Sequence, residues 1–163
     1  MCVFLRPATG NDWSTIRKWL AKPEIQRWWA PCAPSEAEVI TALGSQHALA
    51  RMIQVDGRYV GYGHAVDAAL WGDNLPENLA PGTWDLDIFV AEPDCRGRGI
   101  GAKALSLLRD EVFETTLAVA VCILPSIENE QAVRAYEKIG FKWQNIWRDP
   151  VSGPSWFMVS ERP

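Results

Sequence analysis

Hydrophobic positions recur along the chain with two different periods, and these periods predict helices alternating with strands. Spacings of three and four residues predict helices with one buried face over 9–20, 35–43, 100–112 and 128–139. Alternation or a short apolar run predicts strands over 2–6, 49–55, 58–66, 83–90, 117–124, 141–147 and 154–160. The resulting order, β α α β β β α β α β β, predicts a mixed α/β sheet flanked by helices.

Local signals mark where several of these elements begin and end. Thr9 with Asp12, and Ser35 with Glu38, have the spacing of capping boxes at helix starts. The Asp-Gly pair at 56–57 separates two strand patterns and predicts a tight hairpin. A second hairpin is expected around the DPVSG segment near the end of the chain.

Composition indicates one ordinary globular domain. The chain has 163 residues, 48% of them apolar, and we expect residues 1–163 to form a single domain. No apolar run approaches ~18 residues and the first residues do not resemble a signal peptide, so we expect a cytoplasmic protein without membrane association. The four cysteines are scattered, which favours free thiols over a disulfide framework or a zinc site. A net charge of −4 argues against nucleic-acid binding.

The segment DCRGRGIG at 94–101 lies between a predicted strand and a predicted helix. Alternating glycines let several N–H groups turn toward one ligand, and the following helix adds its free N–H groups and dipole. Such a loop binds phosphate oxygens, and the alternative is a merely flexible turn. A P-loop is excluded because no lysine of that motif precedes Lys103. A dinucleotide loop is excluded because AEPDC separates the glycines from their strand and the next strand ends without an acid.

The strand pattern TWDLDIFV at 83–90 places Asp85 and Asp87 on one face, next to that loop. On an edge strand such charges would only discourage edge pairing. A strand that leads into the loop is expected to be central, where unpaired carboxylates are costly unless they serve a ligand. We therefore favour a functional site at these two aspartates.

Two motifs together resemble the GNAT family of N-acetyltransferases. Arg96-x-x-Gly99-x-Gly101 is similar to the pyrophosphate loop of that family, and NEQAVRAYEKIGF at 129–141 to its N…A…YEKxGF segment. The resemblance implies a mostly antiparallel sheet, acetyl-coenzyme A as cosubstrate, and no metal. In the family the strand before the loop pairs its main chain with the pantetheine. The implied cofactor-binding residues are Phe89, Val90, Arg96, Gly97, Arg98, Gly99, Ile100, Gly101, Asn129 and Ala132.

The predicted helix after 128 adds a candidate acid. Asn129 and Tyr136 are seven residues apart, nearly two turns, so we expect both on one helix face. That face could present an amide to the pantetheine and a phenol to the leaving thiolate. The alternative is a core tyrosine with its hydroxyl at the rim, and the glycine loop favours the catalytic role.

A narrower resemblance concerns the acceptor. EIQRWW at 24–29, RYVGY at 58–62, the WDLDI strand and RAYEKIGF at 134–141 are similar to segments of the aminoglycoside 6′-N-acetyltransferases. The resemblance assigns the active-site aspartate to Asp87 and the acid to Tyr136, with direct transfer to a primary amine of a small cationic acceptor. An aspartate of ordinary pKa ~3.9 is a weak base, so Asp87, with Asp85, is also expected to position the ammonium.

Other functions remain open at this point. Similar architectures occur in hydroxylysine acetyltransferases of siderophore assembly and in ribosomal-protein N-terminal acetyltransferases, and a non-catalytic coenzyme A-binding domain is a further alternative. The expected assembly is a monomer or a homodimer. Residues that could line a cleft for a polycationic sugar are Trp28, Trp29, Trp71, Asp73, Glu77 and His64. The adjacent tryptophans could equally pin the first helices to the sheet.

Overall fold

A computed structural model describes residues 1–29, 32–150 and 153–163, without the side chains of residues 32–34. The strands are β1 (Val3–Pro7), β2 (Ala48–Val55), β3 (Arg58–Asp67), β4 (Thr83–Val90), β5 (Ala120–Ile123), β6 (Lys142–Asp149) and β7 (Gly153–Glu161). The helices are α1 (Trp13–Leu20), α2 (Pro23–Gln26), α3 (Cys32–Gly44), α4 (Ile100–Thr115) and α5 (Glu130–Lys138). Short 3-10 turns occupy Gly10–Asp12, Ala68–Trp71 and Pro93–Cys95.

The seven strands form one sheet in the order β1-β2-β3-β4-β5-β7-β6. Only β4 and β5 pair in parallel, and the other neighbours are antiparallel, as the family resemblance implies. Strand β4 therefore lies at the centre of the sheet, which removes the edge-strand interpretation of its two aspartates. The mixed α/β class and the mostly antiparallel sheet are confirmed.

Two hydrophobic clusters cover the two faces of the sheet. One joins β4 residues such as Leu86 to α4 and α5. The other joins Phe89 of β4 and Tyr62 of β3 to α1, α2 and α3. Because side chains alternate along a strand, Asp85 and Asp87 share the face of Phe89, beneath α1–α3.

Several predicted boundaries hold and others move. The Asp-Gly hairpin forms, with Asp56 at φ 49° and Gly57 at φ 83°, and the first capping box forms around a 3-10 turn that leads into α1. The second capping box was wrong, because α3 begins at Cys32 and Glu38 lies inside the helix. The long buried strand at 117–124 was also wrong at its start, where Leu117 is 96% exposed. Two of the five residues in the turn expected at DPVSG, 151 and 152, lie outside the described residues.

The central pair of strands separates where the glycine loop begins. Strands β4 and β5 pair only from Thr83 with Ala120 to Asp85 with Cys122. Beyond this point residues 86–90 continue along β3, and among the described residues they pair with no strand on the β5 side. The separation opens the sheet toward a cavity. No helix among the described residues is long and apolar enough to cross a bilayer.

Candidate active site

A cavity of about 1320 Å³ occupies the opening between β4 and β5. It runs from the glycine loop and the start of α4, past α5, to Trp28 and Trp71 on the other side of the sheet. Cavities that hold one drug-sized ligand measure ~300–1,000 Å³. This cavity is therefore large enough for a cofactor and a second substrate together.

The glycine loop forms an anion cradle at one end. Gly97 and Gly99 adopt φ values of 70° and 77°, and Gly99 is the N-cap of α4 without a side-chain cap. Within the described part of the chain, no protein acceptor binds the N–H groups from Gly97 to Ala102. Unpaired N–H groups at the positive end of a helix dipole bind phosphate oxygens.

Four cationic side chains of the loop, α4 and α5 line the cavity, and one of them, Arg134, pairs with Glu130 at 3.7 Å. We call the group the basic end: Arg96, Lys103, Arg134 and Lys138. The predicted cofactor residues Phe89, Val90, Asn129 and Ala132 also line the cavity, as do Gly97, Gly99, Ile100 and Gly101. Arg98 is the exception, because it is exposed and lies outside the lining.

The Arg96 side chain binds backbone carbonyl oxygens at the end of β4, although it was expected to contact the cofactor. Its guanidinium donates to the carbonyl oxygens of Val90 and Ala91, at 3.0 and 3.1 Å. The expectation that this side chain reaches phosphate is corrected, because it holds the loop against the end of β4. Arg58 anchors the preceding turn in the same way, through Asp94 at 2.8 Å.

Helix α5 supplies the candidate acid. Asn129 precedes the helix as its N-cap, and its Oδ1 accepts the N–H of Ala132 at 3.3 Å. Asn129 and Tyr136 both line the cavity, and the amide NH₂ of Asn129 remains for a ligand. Tyr136 is half-buried against Phe141, and burial followed by the charge of Asp87 raises its pKa above the ordinary value. The phenol is therefore protonated at physiological pH and can donate a hydrogen bond.

Four carboxylates lie at the opposite end of the cavity. We call this group the acidic end: Glu38 of α3, Asp85 and Asp87 of β4, and Asp149 of β6. Among the described residues, no ion pair involves Glu38, Asp85 or Asp87. Half-buried carboxylates without a cationic partner favour a cationic ligand.

The two predicted aspartates differ in their partners. The indole N–H of Trp71 donates to Asp85 Oδ2 at 3.0 Å, and the thiol of Cys122 lies 3.7 Å from Oδ1. Burial nevertheless raises the pKa of Asp85 to about 7. Asp87 accepts the backbone N–H of Ile88, at 3.0 Å. Burial, and then the charges of Glu38 and Asp85, hold its pKa well above the ordinary value.

Trp29 lines the cavity, whereas His64 lies in the core, outside the lining. His64 pairs directly with Asp87 across β3 and β4, and its Nδ1 hydrogen-bonds the hydroxyl of Tyr62 at 2.9 Å. Because burial lowers its pKa to about 4, His64 is neutral at physiological pH. Trp29 is 8% exposed and donates its indole N–H to the carbonyl of Ile88 at 3.3 Å.

The remaining predicted cleft residues divide between wall and surface. Trp28 is half-buried, lines the cavity and carries the Arg27 guanidinium 4.5 Å above its ring. Trp71 lines the cavity beside it. Asp73 and Glu77 are exposed and lie outside the lining, so their expected place in the cleft is corrected.

Sequence reasoning missed Glu38, which was interpreted only as a helix cap. One donor atom each from Glu38, His64 and Asp87 lie within 4.8 Å of one another. A small divalent cation would fit between three such donors, as would an ammonium group. The signal in the sequence was its place beside Val39 on a helix whose apolar face packs on the sheet.

Comparisons with known proteins agree with this geometry. A family model described as an acetyltransferase (GNAT) domain matches residues 8–148. An aminoglycoside N(6′)-acetyltransferase type 1 of Klebsiella pneumoniae is 29% identical over 98% of this chain and 83% of its own. A kanamycin resistance protein of Rhizobium radiobacter is 33% identical over 53% of this chain and 79% of its own. The crystal structure of the aminoglycoside acetyltransferase AAC(6′)-Ib with coenzyme A and kanamycin superposes with a TM-score of 0.85, at 28% identity over 99% of this chain and 95% of that one.

Proposed function

Because the chain belongs to the GNAT acetyltransferase family, we propose that it transfers the acetyl group of acetyl-coenzyme A to the 6′-amine of an aminoglycoside. The observation that carries this proposal is the opposite charge of the two cavity ends. The basic end and its free N–H groups suit a pyrophosphate, and the acidic end suits a polyammonium acceptor. The cavity volume accommodates both at once.

The donor lies along the opened strand in this proposal. The loop N–H groups from Gly97 to Ala102 hold the pyrophosphate. The main chain of residues 86–90, which among the described residues has no pairing with β5, then faces the pantetheine. Its Ile88 and Val90 carbonyls already accept hydrogen bonds from Trp29 and Arg96, so the remaining backbone groups are those left for the pantetheine amides. This arrangement directs the thioester toward Asp87 and Tyr136.

Asp87 receives the acceptor amine. A carboxylate at this position attracts the ammonium and orients its nitrogen toward the thioester carbonyl carbon. Its raised pKa makes it a stronger base than an ordinary aspartate. One N–H bond of the ammonium breaks, the proton passes to the carboxylate, and the freed electron pair forms the new C–N bond.

Tyr136 acts on the leaving group. As the tetrahedral intermediate collapses, the C–S bond breaks and its electron pair stays on sulfur. The protonated phenol of Tyr136 stabilises this thiolate by donating a hydrogen bond or a proton. The nitrogen then loses its second proton, which restores the Tyr136 phenol if that group has given up its own. The products are the acetylated amine, coenzyme A and the proton held by Asp87.

Release of coenzyme A thiol from acetyl-coenzyme A, measured with kanamycin as acceptor, tests the proposal. Asp87→Asn and Tyr136→Phe are each expected to lower kcat by about 100-fold or more. Asp73→Asn and Tyr59→Phe are the matched controls, because both residues are exposed and lie outside the cavity. Acetyl-coenzyme A binding without release in the presence of any amine would identify a binding domain instead. Release with a peptide amine but not with kanamycin would reject the aminoglycoside.

A further inference from the structure

Glu38 approaches the acidic end from a different element than the two aspartates do. Helix α3 packs on the sheet through Val39 and Ala42, which belong to the same hydrophobic cluster as Tyr62 and Phe89. This packing brings the Glu38 carboxylate over the strands, to the side of Asp87 that faces the helices. Two rigid elements therefore hold the two carboxylates on opposite sides of one space.

The separation of these carboxylates matches a bridging ammonium group. A carboxylate oxygen of Glu38 and one of Asp87 lie no more than 4.8 Å apart. An ammonium that donates to both at about 2.8 Å would subtend an angle of about 118° at nitrogen, or less if the oxygens are closer. This is close to the tetrahedral angle between two N–H bonds. The third N–H bond and the bond to the substituent carbon then point away from the two carboxylates.

Among the residues that the structure describes, no cationic side chain pairs with Glu38 or Asp87. The nearest base, His64, is neutral and keeps Nδ1 on the Tyr62 hydroxyl. Burial raises the pKa of Glu38 to about 7, and the charges of Asp85 and Asp149 contribute to this increase. Both neighbouring charges are therefore negative. The positive charge that would balance the pair must therefore come from a ligand.

We propose that Glu38 is a second acceptor-binding carboxylate, which holds the reacting ammonium together with Asp87 and shares its proton. This inference rests on the proposed N-acetyl transfer. In the step, one N–H bond breaks and the proton passes to either carboxylate while the nitrogen attacks the thioester carbon. The second carboxylate keeps the released proton within the pair until solvent removes it.

The test compares Glu38→Gln with Glu36→Gln. Glu36 lies two residues away on the same helix, outside the cavity, and pairs with Arg17 at 3.1 Å. Loss of one charge-assisted hydrogen bond predicts that Glu38→Gln lowers kcat/KM for kanamycin by roughly 10- to 100-fold. Acetyl-coenzyme A affinity should not change in either variant, and Glu36→Gln should keep the parent kcat/KM. Assays contain a chelator, because the same donors would fit a divalent cation.

The pH profile separates this role from a structural one. Glu38 raises the pKa of Asp87 by repulsion, as do the charge of Asp85 and burial. Removing its charge should lower that pKa, so the acidic limb of kcat/KM moves to lower pH in Glu38→Gln. The charges that act on Asp87 are those of Glu38 and Asp85, and Asp149 acts on Glu38 and Asp85. Tyr62 and Tyr136, whose pKa values are raised by burial and by Asp87, stay protonated, and His64 stays neutral above its pKa of about 4.

Each outcome decides between the two claims. An unchanged kcat/KM and acidic limb in Glu38→Gln, with Asp87→Asn inactive, would overturn this inference and leave the proposed function intact. Loss of acetyl-coenzyme A affinity equal to the loss of kcat/KM would show a structural role and also overturn it. If Asp87→Asn and Glu38→Gln both kept full activity, the proposed acceptor site itself would be wrong. Glu38→Asp keeps the negative charge. A small loss of kcat/KM in this variant, with the acidic limb at the parent pH, would support a proton shared between the two carboxylates.

Discussion

Gly99→Ala tests whether the glycine loop binds the cofactor through its backbone. Gly99 has a φ of 77°, and a Cβ at this position meets no heavy atom within 4 Å. The variant therefore pays only for the left-handed conformation, about 1–2 kcal/mol per residue. For a chain of this length, 1 kcal/mol lowers the melting temperature by about 2–4 °C.

The matched control is Gly57→Ala in the hairpin turn. Gly57 has a φ of 83° and equally open surroundings, but it lies outside the cavity. Both variants should thus lose a similar few degrees of thermal stability. Only at Gly99 does the new methyl group stand among the free N–H groups of the cradle.

Affinity for acetyl-coenzyme A is the measurement that separates the two variants. Displacing a phosphate oxygen from one N–H donor costs about 1.5–3 kcal/mol, or roughly 10- to 100-fold in Kd. Isothermal titration calorimetry should show this loss for Gly99→Ala and none for Gly57→Ala. Equal affinity in both variants would refute the backbone cradle, whatever their stability.

Three further predictions follow from single contacts. Trp71→Phe removes the indole N–H that lowers the pKa of Asp85. In an NMR titration of the carboxyl carbon, the pKa of Asp85 should therefore rise above about 7. An unchanged pKa would contradict the hydrogen bond between Trp71 and Asp85. Gly61→Ala places a Cβ against the carbonyl oxygen of Phe89. The free energy of unfolding, measured in urea, should fall by more than about 2 kcal/mol. An unchanged free energy of unfolding would contradict the close spacing of β3 and β4 at this position. Asp12→Asn should cost about 1 kcal/mol at neutral pH. The hydrogen-bonded Arg6 lowers the pKa of Asp12 in the folded state below its unfolded value. The stabilisation is therefore present above the unfolded pKa and disappears as pH falls through the folded pKa. A stability loss in Asp12→Asn that persists in acid would contradict this reasoning.

The sequence was most informative where a short motif determines local backbone geometry. The alternation in TWDLDIFV correctly predicts that Asp85 and Asp87 share a face, because strand periodicity leaves no freedom. The loop glycines correctly predict positive φ values and a helix start with free N–H groups. The family and the cofactor were predicted from the resemblance of the loop and of the segment 129–141 to the GNAT family.

The sequence was least informative where a side chain chooses among neighbours that are distant in the chain. Glu38 fits a capping box by spacing, yet α3 begins earlier, and only packing on the sheet brings this carboxylate to Asp87. Arg96 beside a phosphate loop suggests an anion contact, but two carbonyl oxygens at the end of β4 are closer. The apolar run near Leu117 predicts burial, although its first residues precede the strand and face solvent.

The central claim is acetyl transfer to one amine, and the position of the acetyl group tests it most directly. Purified protein, acetyl-coenzyme A and kanamycin should give one product that is one acetyl group heavier. Two-dimensional NMR of that product should place the acetyl group on the 6′ nitrogen, and Asp87→Asn should abolish its formation. Acetylation of another amine, or no product from a protein that still binds acetyl-coenzyme A, would contradict the account.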